Sequence, residues 1–210
     1  MAPTGIDLEK IRDDFKSSVS EDGIIDMGQY LKGHAEITRL FELLGTVFNF
    51  VSSDMKTKCG ILADHRRDRP DDFATVQSMV AYELREGLTA RKTDAGRDSG
   101  SRTFLRLHRA LEFFCVLLQR LAEAESDAPS STLASTTYGE TLGKFHPWVV
   151  RQMAYLAIRT LPTKEHLIEK YCKQDAAEAE ELVPSAVEAM RRCYDIAQDL
   201  FSENSLLDLP

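Results

Sequence analysis

The stretch Ser101-Arg-Thr-Phe-Leu-Arg-Leu-His-Arg-Ala-Leu-Glu-Phe-Phe-Cys-Val-Leu-Leu118 decides the fold class. Phe104, Leu107, Leu111, Phe114 and Leu118 recur at three- and four-residue steps, the period of an α-helix with one apolar side. Over residues 113–118 the run becomes apolar on every side, and a helix of that kind in a soluble protein must be covered from both sides. The stretch therefore predicts a central helix, with Ser99 or Ser101 as its N-cap because a hydroxyl there accepts from a free backbone N–H.

Working outward, the flanking segments are helical too. Ile37, Leu40, Phe41, Leu44, Val47, Phe48 and Val51 predict an amphipathic helix, and the charges and proline of residues 64–71 predict a loop after it. Phe73, Val76, Met79, Val80 and Leu84 form the next stripe, capped by Asp71 or Asp72, and residues 92–101 read as a loop leading to the central helix. Beyond a polar connection at 126–131, two helical regions flank Phe145-His-Pro-Trp148. Pro147 disfavours helical geometry at His146, so a helix starts or kinks there. Leu161-Pro-Thr163 breaks the chain again, with Thr163 as the cap of a short helix. A last helix from Pro184 to Phe201, striped by Val187, Met190, Tyr194 and Ala197, precedes the tail Leu206-Leu-Asp-Leu-Pro210. With neither an internal repeat nor a strand series, the expectation is one all-α domain over residues 1–210.

Composition narrows the functions. The 210 residues carry 26 Lys and Arg against 34 Asp and Glu, a net charge of −8, which argues against a nucleic-acid partner. The 43% hydrophobic content fits a globular chain with a large core, and no run of about 18 apolar residues is present to span a bilayer. The N-terminus lacks the basic-then-apolar build of a secretion signal. Cys59, Cys115, Cys172 and Cys193 are too far apart for a zinc motif and predict free thiols in a reducing cytosol. His34, His65, His108, His146 and His166 show no i,i+4 metal spacing, and no P-loop, GxGxxG, GxSxG or HExxH pattern occurs. The expectation is a binding protein without metal, cofactor or catalytic residues.

Three features depart from plain amphipathic patterning. Asp54 and Lys58 form an i,i+4 pair, which by spacing alone reads as a surface ion pair. Arg102, Arg106 and Arg109 lie within about 60° of one another on the central helix, opposite its apolar stripe. Between Arg97 and Arg109 the only acid is Asp98, leaving a local charge of 4 − 1 = +3. Such a face is either solvated or an anion site at the mouth of an apolar interior, for which planar guanidiniums and a helix N-terminus are suited. His146 sits among aromatics beside Trp148, the only tryptophan, either as a satisfied core residue or as a donor to a ligand carbonyl.

Leu44-Gly-Thr-Val-Phe-Asn-Phe-Val-Ser-Ser-Asp54 with Lys58, Ser101–Leu111, Phe145-His-Pro-Trp-Val-Val-Arg151 and Ser205-Leu-Leu-Asp-Leu-Pro210, taken in that order, resemble the glycolipid transfer protein family, most closely its ceramide-1-phosphate branch. The resemblance runs from about residue 6 to residue 210. It implies a two-layer helical sandwich enclosing an apolar cavity for the hydrocarbon chains of a sphingolipid, and a carrier rather than an enzyme. By the family pattern Asp54 accepts from the sphingoid amide, Lys58, Arg102 and Arg106 bind the phosphate, and His146 donates to the amide carbonyl. Arg109 acquires no role and stays structural. The sugar-binding branch carries a tryptophan on the central helix for stacking, whereas Arg106 stands at that place here, so a phosphate head group is favoured.

The resemblance further implies a monomer acting from the cytosol, with transient peripheral contact at Golgi and plasma membranes. The basic residues at 65–69, Trp148 and Tyr155 are candidates for that contact. Two other classes fit the residues: a lipid sensor or scaffold using the same pocket without net transfer, and a helical adaptor with no lipid site. Vesicle transfer and native mass spectrometry with sphingolipid separate them.

Overall fold

The computed structural model describes residues 5–91 and 96–210. Residues 1–4 of the N-terminus and 92–95 of the 92–101 connection lie outside the described residues. Nine α-helices are present among the described residues, and strand geometry there is limited to isolated bridges.

Helix α5, Gly100–Glu123, is the predicted central helix, with Ser99 as its cap accepting from Arg102 N–H. Phe104, Leu107, Leu111, Phe114 and Cys115 face the main core, while Phe113 on the other side enters a second apolar cluster with Ala134, Tyr138, Ala154 and Ile158. The all-round apolar run thus covers two cores at once. Helices α1 (Leu8–Ser18), α2 (Met27–Leu43), α3 (Asn49–Asp68) and α9 (Ala176–Glu203) close a ring with α5 around the main core. Gly33 allows the closest approach within it, since the Phe15 ring lies 2.6 Å from where a Cβ would stand. Helix α4 (Val76–Glu86) packs on α5, and α6 (Ser130–Glu140) and α7 (Trp148–Ile158) flank its far end. The short α8 (Lys164–Tyr171) leans on α9.

Several boundaries differ from expectation. The 37–51 stripe is split by Gly45, whose φ of 93° suits glycine, and a 3-10 turn over Thr46–Phe48 leads into α3. Asp54 and Lys58 therefore sit in the first half of a new helix. The predicted loop at 64–71 is helical as far as Asp68, because Arg67 pairs with Asp64 at 2.5 Å and the basic residues lie at the favourable C-terminal end of the dipole. The cap of α4 is Thr75, in a reciprocal capping box with Ser78, and Phe73 is buried in the turn before it while Leu84 is exposed. The last helix begins well before Pro184, at a capping box of Asp175 with Glu178. Pro184 and Glu180, whose carbonyl the proline leaves without a helical donor, are both exposed, so the lost bond falls on the solvent side of the helix. Pro147 caps α7, and Thr163 precedes α8 without a side-chain cap bond.

Candidate functional site

Helices α3 and α5 pack against each other, joined by one direct contact and by a shared neighbour. Near one end, His65 Nε2 lies 2.9 Å from the Asp98 carbonyl. Near the other, Arg109 of α5 stacks its guanidinium on Phe145 at 3.9 Å, next to His146, whose titration feels Asp54, Lys58 and Arg109. Lys58 is seven residues from His65 and Arg106 eight from Asp98, so at about 1.5 Å per residue both stand about 10–12 Å along their helices. Lys58 and Arg106 thus lie at similar distances along their helices from the His65–Asp98 contact.

The Asp54–Lys58 ion pair forms, with an orientation that spacing could not give. Asp54 is 63% exposed, whereas Lys58 is only 15% exposed and runs its stem along the protein. Arg102 and Arg106 project beside each other and share Asp98, at 3.5 and 3.0 Å. Both also donate to the carbonyl of Pro210, Arg102 Nε at 2.6 Å and Arg106 at 3.2 Å. Arg109 donates to the Leu207 carbonyl at 2.7 Å, as a structural arginine would. The tail thereby crosses the cationic face, and beside it opens a cleft of about 320 Å³ walled by Leu105, Arg109, Phe145, Tyr194 and Leu207.

His146 is half-buried. Its Nδ1 lies 2.7 Å from the Tyr138 hydroxyl, and desolvation, with smaller contributions from Lys58 and Arg109, pulls its pKa below the usual histidine value against the opposing pull of Asp54. It is neutral at pH 7, and with Nδ1 bonded to Tyr138 only Nε2 remains to face a ligand.

The α5 N-terminus contributes differently from expectation. Its first N–H groups do not point to a ligand: buried Glu83 accepts from Gly100 N–H at 2.6 Å and Ser101 N–H at 2.8 Å. A carboxylate on the positive end of the helix fixes the platform that carries the arginines. Sequence reading missed Glu83, Tyr138 and the Pro210 carbonyl, because each acts from another part of the chain. Asp98 was visible in the charge count, but its pairing with both arginines was not.

Other expectations change with burial. His65 is buried and stacked on Phe73 at 4.8 Å, which removes it from the surface candidates, and Arg67 and Arg69 are paired with Asp64, Asp68 and Asp72. Tyr155 turns inward against Tyr138. Trp148 stays 65% exposed, and Val149, Met153 and Leu156, also exposed, lie within about 140° of it on α7. Cys115 and Cys193 are buried thiols pushed up to about 12 by desolvation, so neither is a thiolate near neutral pH. Among the described residues no cluster suits a metal ion, and no helix is long and apolar enough to cross a membrane.

The family model described as "Glycolipid transfer protein (GLTP)" matches residues 25–173, which include α2 through α8 and every predicted head-group residue. The chain belongs to the glycolipid transfer protein family. Within it, the rat ceramide-1-phosphate transfer protein is 36% identical over 201 residues, covering 93% of each chain. The human ceramide-1-phosphate transfer protein in complex with 2:0 ceramide-1-phosphate superposes with a TM-score of 0.90 at 33% identity, covering 99% of this chain and 100% of that one. The apo-form of the mouse protein gives 0.88 at 35% identity, covering 97% and 98%. The fold is therefore the all-helical glycolipid transfer protein fold, as the sequence resemblance implied.

Proposed function

We propose that this chain is a non-enzymatic carrier that binds ceramide-1-phosphate and moves it between membranes. The observation that carries the reading is Arg102 and Arg106 side by side on α5, a helix whose other face lines the apolar core, with Lys58 on the adjoining α3 and His146 following the turn that packs on α5. Lys58 and the two guanidiniums bind the phosphate, for which paired planar donors are suited. Asp54 accepts from the sphingoid amide N–H. With Nδ1 accepting from Tyr138, His146 donates from Nε2 to the amide carbonyl. The hydrocarbon chains go between the helical layers.

A carrier is needed because water is costly for the cargo. Each exposed methylene costs about 0.8 kcal/mol, so a lipid with roughly thirty of them meets a desorption barrier above about 20 kcal/mol. An apolar interior replaces the bilayer at far smaller cost, and the protein speeds movement down an existing gradient without consuming anything.

The apolar face around Trp148 is the membrane contact in this reading. A tryptophan at the rim of an exposed apolar patch suits the bilayer interface. The protein acts as a monomer from the cytosol, with transient contact at Golgi and plasma membranes.

Transfer of labelled ceramide-1-phosphate from donor to acceptor vesicles tests the carrier. Rapid transfer is expected. Tight binding without transfer identifies a sensor instead, and no binding of any sphingolipid identifies an adaptor.

A further inference from the structure

The two arginines assigned to the phosphate already have an anion between them. Arg106 places one nitrogen 3.0 Å from Asp98 and another 3.2 Å from the Pro210 carbonyl. Arg102 approaches the same carboxylate at 3.5 Å and gives its Nε to the same carbonyl at 2.6 Å. Each guanidinium thus spends a donor on a carboxylate and another on the tail. Each has five N–H donors, so a phosphate approaching this face competes with the carboxylate and the tail for the same charge and for part of the donor set.

The way Asp98 is held separates its backbone from its carboxylate. Its carbonyl is tied to His65 Nε2, and the following residue, Ser99, caps α5. Its side chain is anchored by the two arginines alone among the contacts seen, so it can rotate away while the main chain stays. The tail is similarly light: the Pro210 carbonyl is held by the same two guanidiniums, whereas Leu206 is buried in the core and anchors the segment behind it.

We propose that Asp98 is a displaceable counter-anion, and the Pro210 oxygen a displaceable hydrogen-bond acceptor, for Arg102 and Arg106, so that a phosphate monoester binds by exchange with them. The inference rests on the phosphate role given to the arginines above. Two cations one helical turn apart repel, and Asp98 offsets that repulsion until cargo arrives. A phosphate monoester brings three acceptor oxygens and a charge of about −1.5 to −2, more than one carboxylate, and so wins the exchange. The consequence is an affinity below what the bare cation cluster would give, and an easier departure, because Asp98 re-pairs the arginines as the head group leaves. Both suit a carrier that must release what it binds. Asp98 is in this sense an affinity-setting residue that makes no contact with the bound lipid.

The sign of one substitution decides the matter. In the full-length protein Asp98→Asn keeps size and hydrogen bonding but removes the competing charge. Equilibrium binding of water-soluble short-chain ceramide-1-phosphate should tighten about tenfold, with slower dissociation. Unchanged or weaker binding overturns the proposal and makes Asp98 a positioning residue that holds the arginines ready. A measurement on the unaltered protein tests the tail: amide hydrogen exchange at Asp208 and Leu209 should quicken when the lipid saturates the protein, and unchanged or slower exchange overturns the tail's part. If the unaltered protein binds no ceramide-1-phosphate, the proposed function itself fails and the inference falls with it, an outcome distinct from the other two.

Discussion

Arg106 is where one side chain carries the most consequence. It shares Asp98 with Arg102 and is only a third exposed, so its loss removes a cation from a partly desolvated cluster. Truncating the protein's partner in an arginine–phosphate pair typically costs roughly 2–5 kcal/mol of binding. Arg106→Leu is expected to abolish ceramide-1-phosphate transfer while circular dichroism and the melting temperature stay close to the unaltered protein's. Asp54 supports a smaller effect than burial would have given. A glycerol phosphate lipid offers an ester where ceramide offers an amide, leaving Asp54 short of a donor while His146 still finds a carbonyl, but Asp54 is exposed and water compensates it. The discrimination against phosphatidic acid is therefore expected near the low end of the usual 1–3 kcal/mol for an unmet hydrogen bond, about fivefold in affinity, measured by competition for the same site. The candidate residues were legible because charged residues on an otherwise apolar helix stand out by position alone. Glu83 and Tyr138 were not, since their partners lie 17 and 8 residues away in sequence and carry no local signature.

Among the elements, α5 and α7 have separable jobs. The buried Glu83 carboxylate fixes the start of α5, and Glu83→Ala would leave two N–H groups without an acceptor in a dry setting. A loss of about 2–3 kcal/mol in urea-unfolding free energy is expected, with weaker head-group binding because the arginines shift with the helix. The exposed face of α7 is expected to act only at the bilayer. Trp148→Ala should slow vesicle transfer about tenfold yet leave binding of a soluble short-chain lipid unchanged, since burying one large apolar side chain is worth roughly 1.5–3 kcal/mol. Element by element, the 3.6-residue period revealed the helices, and their ends were harder to read. Gly45 broke a stripe that hydrophobicity alone continued, and the charged residues at 64–68 stayed helical because they pair with one another and with Arg97. Pro184 misled for the opposite reason: its lost hydrogen bond falls on the solvent side of the helix, while the Asp175 capping box and buried Ala179 and Ala186 hold the helix on both sides of it.

At the scale of the whole molecule, the core contains an aromatic ladder with two buried histidines. His34 bonds through Nδ1 to the Tyr30 carbonyl, and His108 stacks on Tyr194 at 4.2 Å and bonds to Gln198. Desolvation lowers both to about 4. Because these two histidines take up protons near 6.5 in the unfolded chain and not in the folded one, their contribution to stability is constant above that pH. It should fall as the pH drops from about 6.5 toward 4, by about 1.4 kcal/mol per pH unit for each histidine. Urea midpoints at pH 7.5 and pH 5 check this: a lower midpoint at pH 5 is expected, and equal midpoints would show that the histidines charge freely in the fold. The overall charge of −8 acquires a meaning at this scale too. The acidic surface limits indiscriminate adhesion to anionic bilayers, and positive charge is concentrated where α3 and α5 meet, beside the apolar interior. The most direct test of the central claim is a vesicle transfer assay run side by side with ceramide-1-phosphate, phosphatidic acid and a simple glycosylceramide. Fast transfer of ceramide-1-phosphate, slower transfer of phosphatidic acid and none of the glycosylceramide is predicted; transfer of the glycosylceramide as fast as the phosphate lipid would contradict the account.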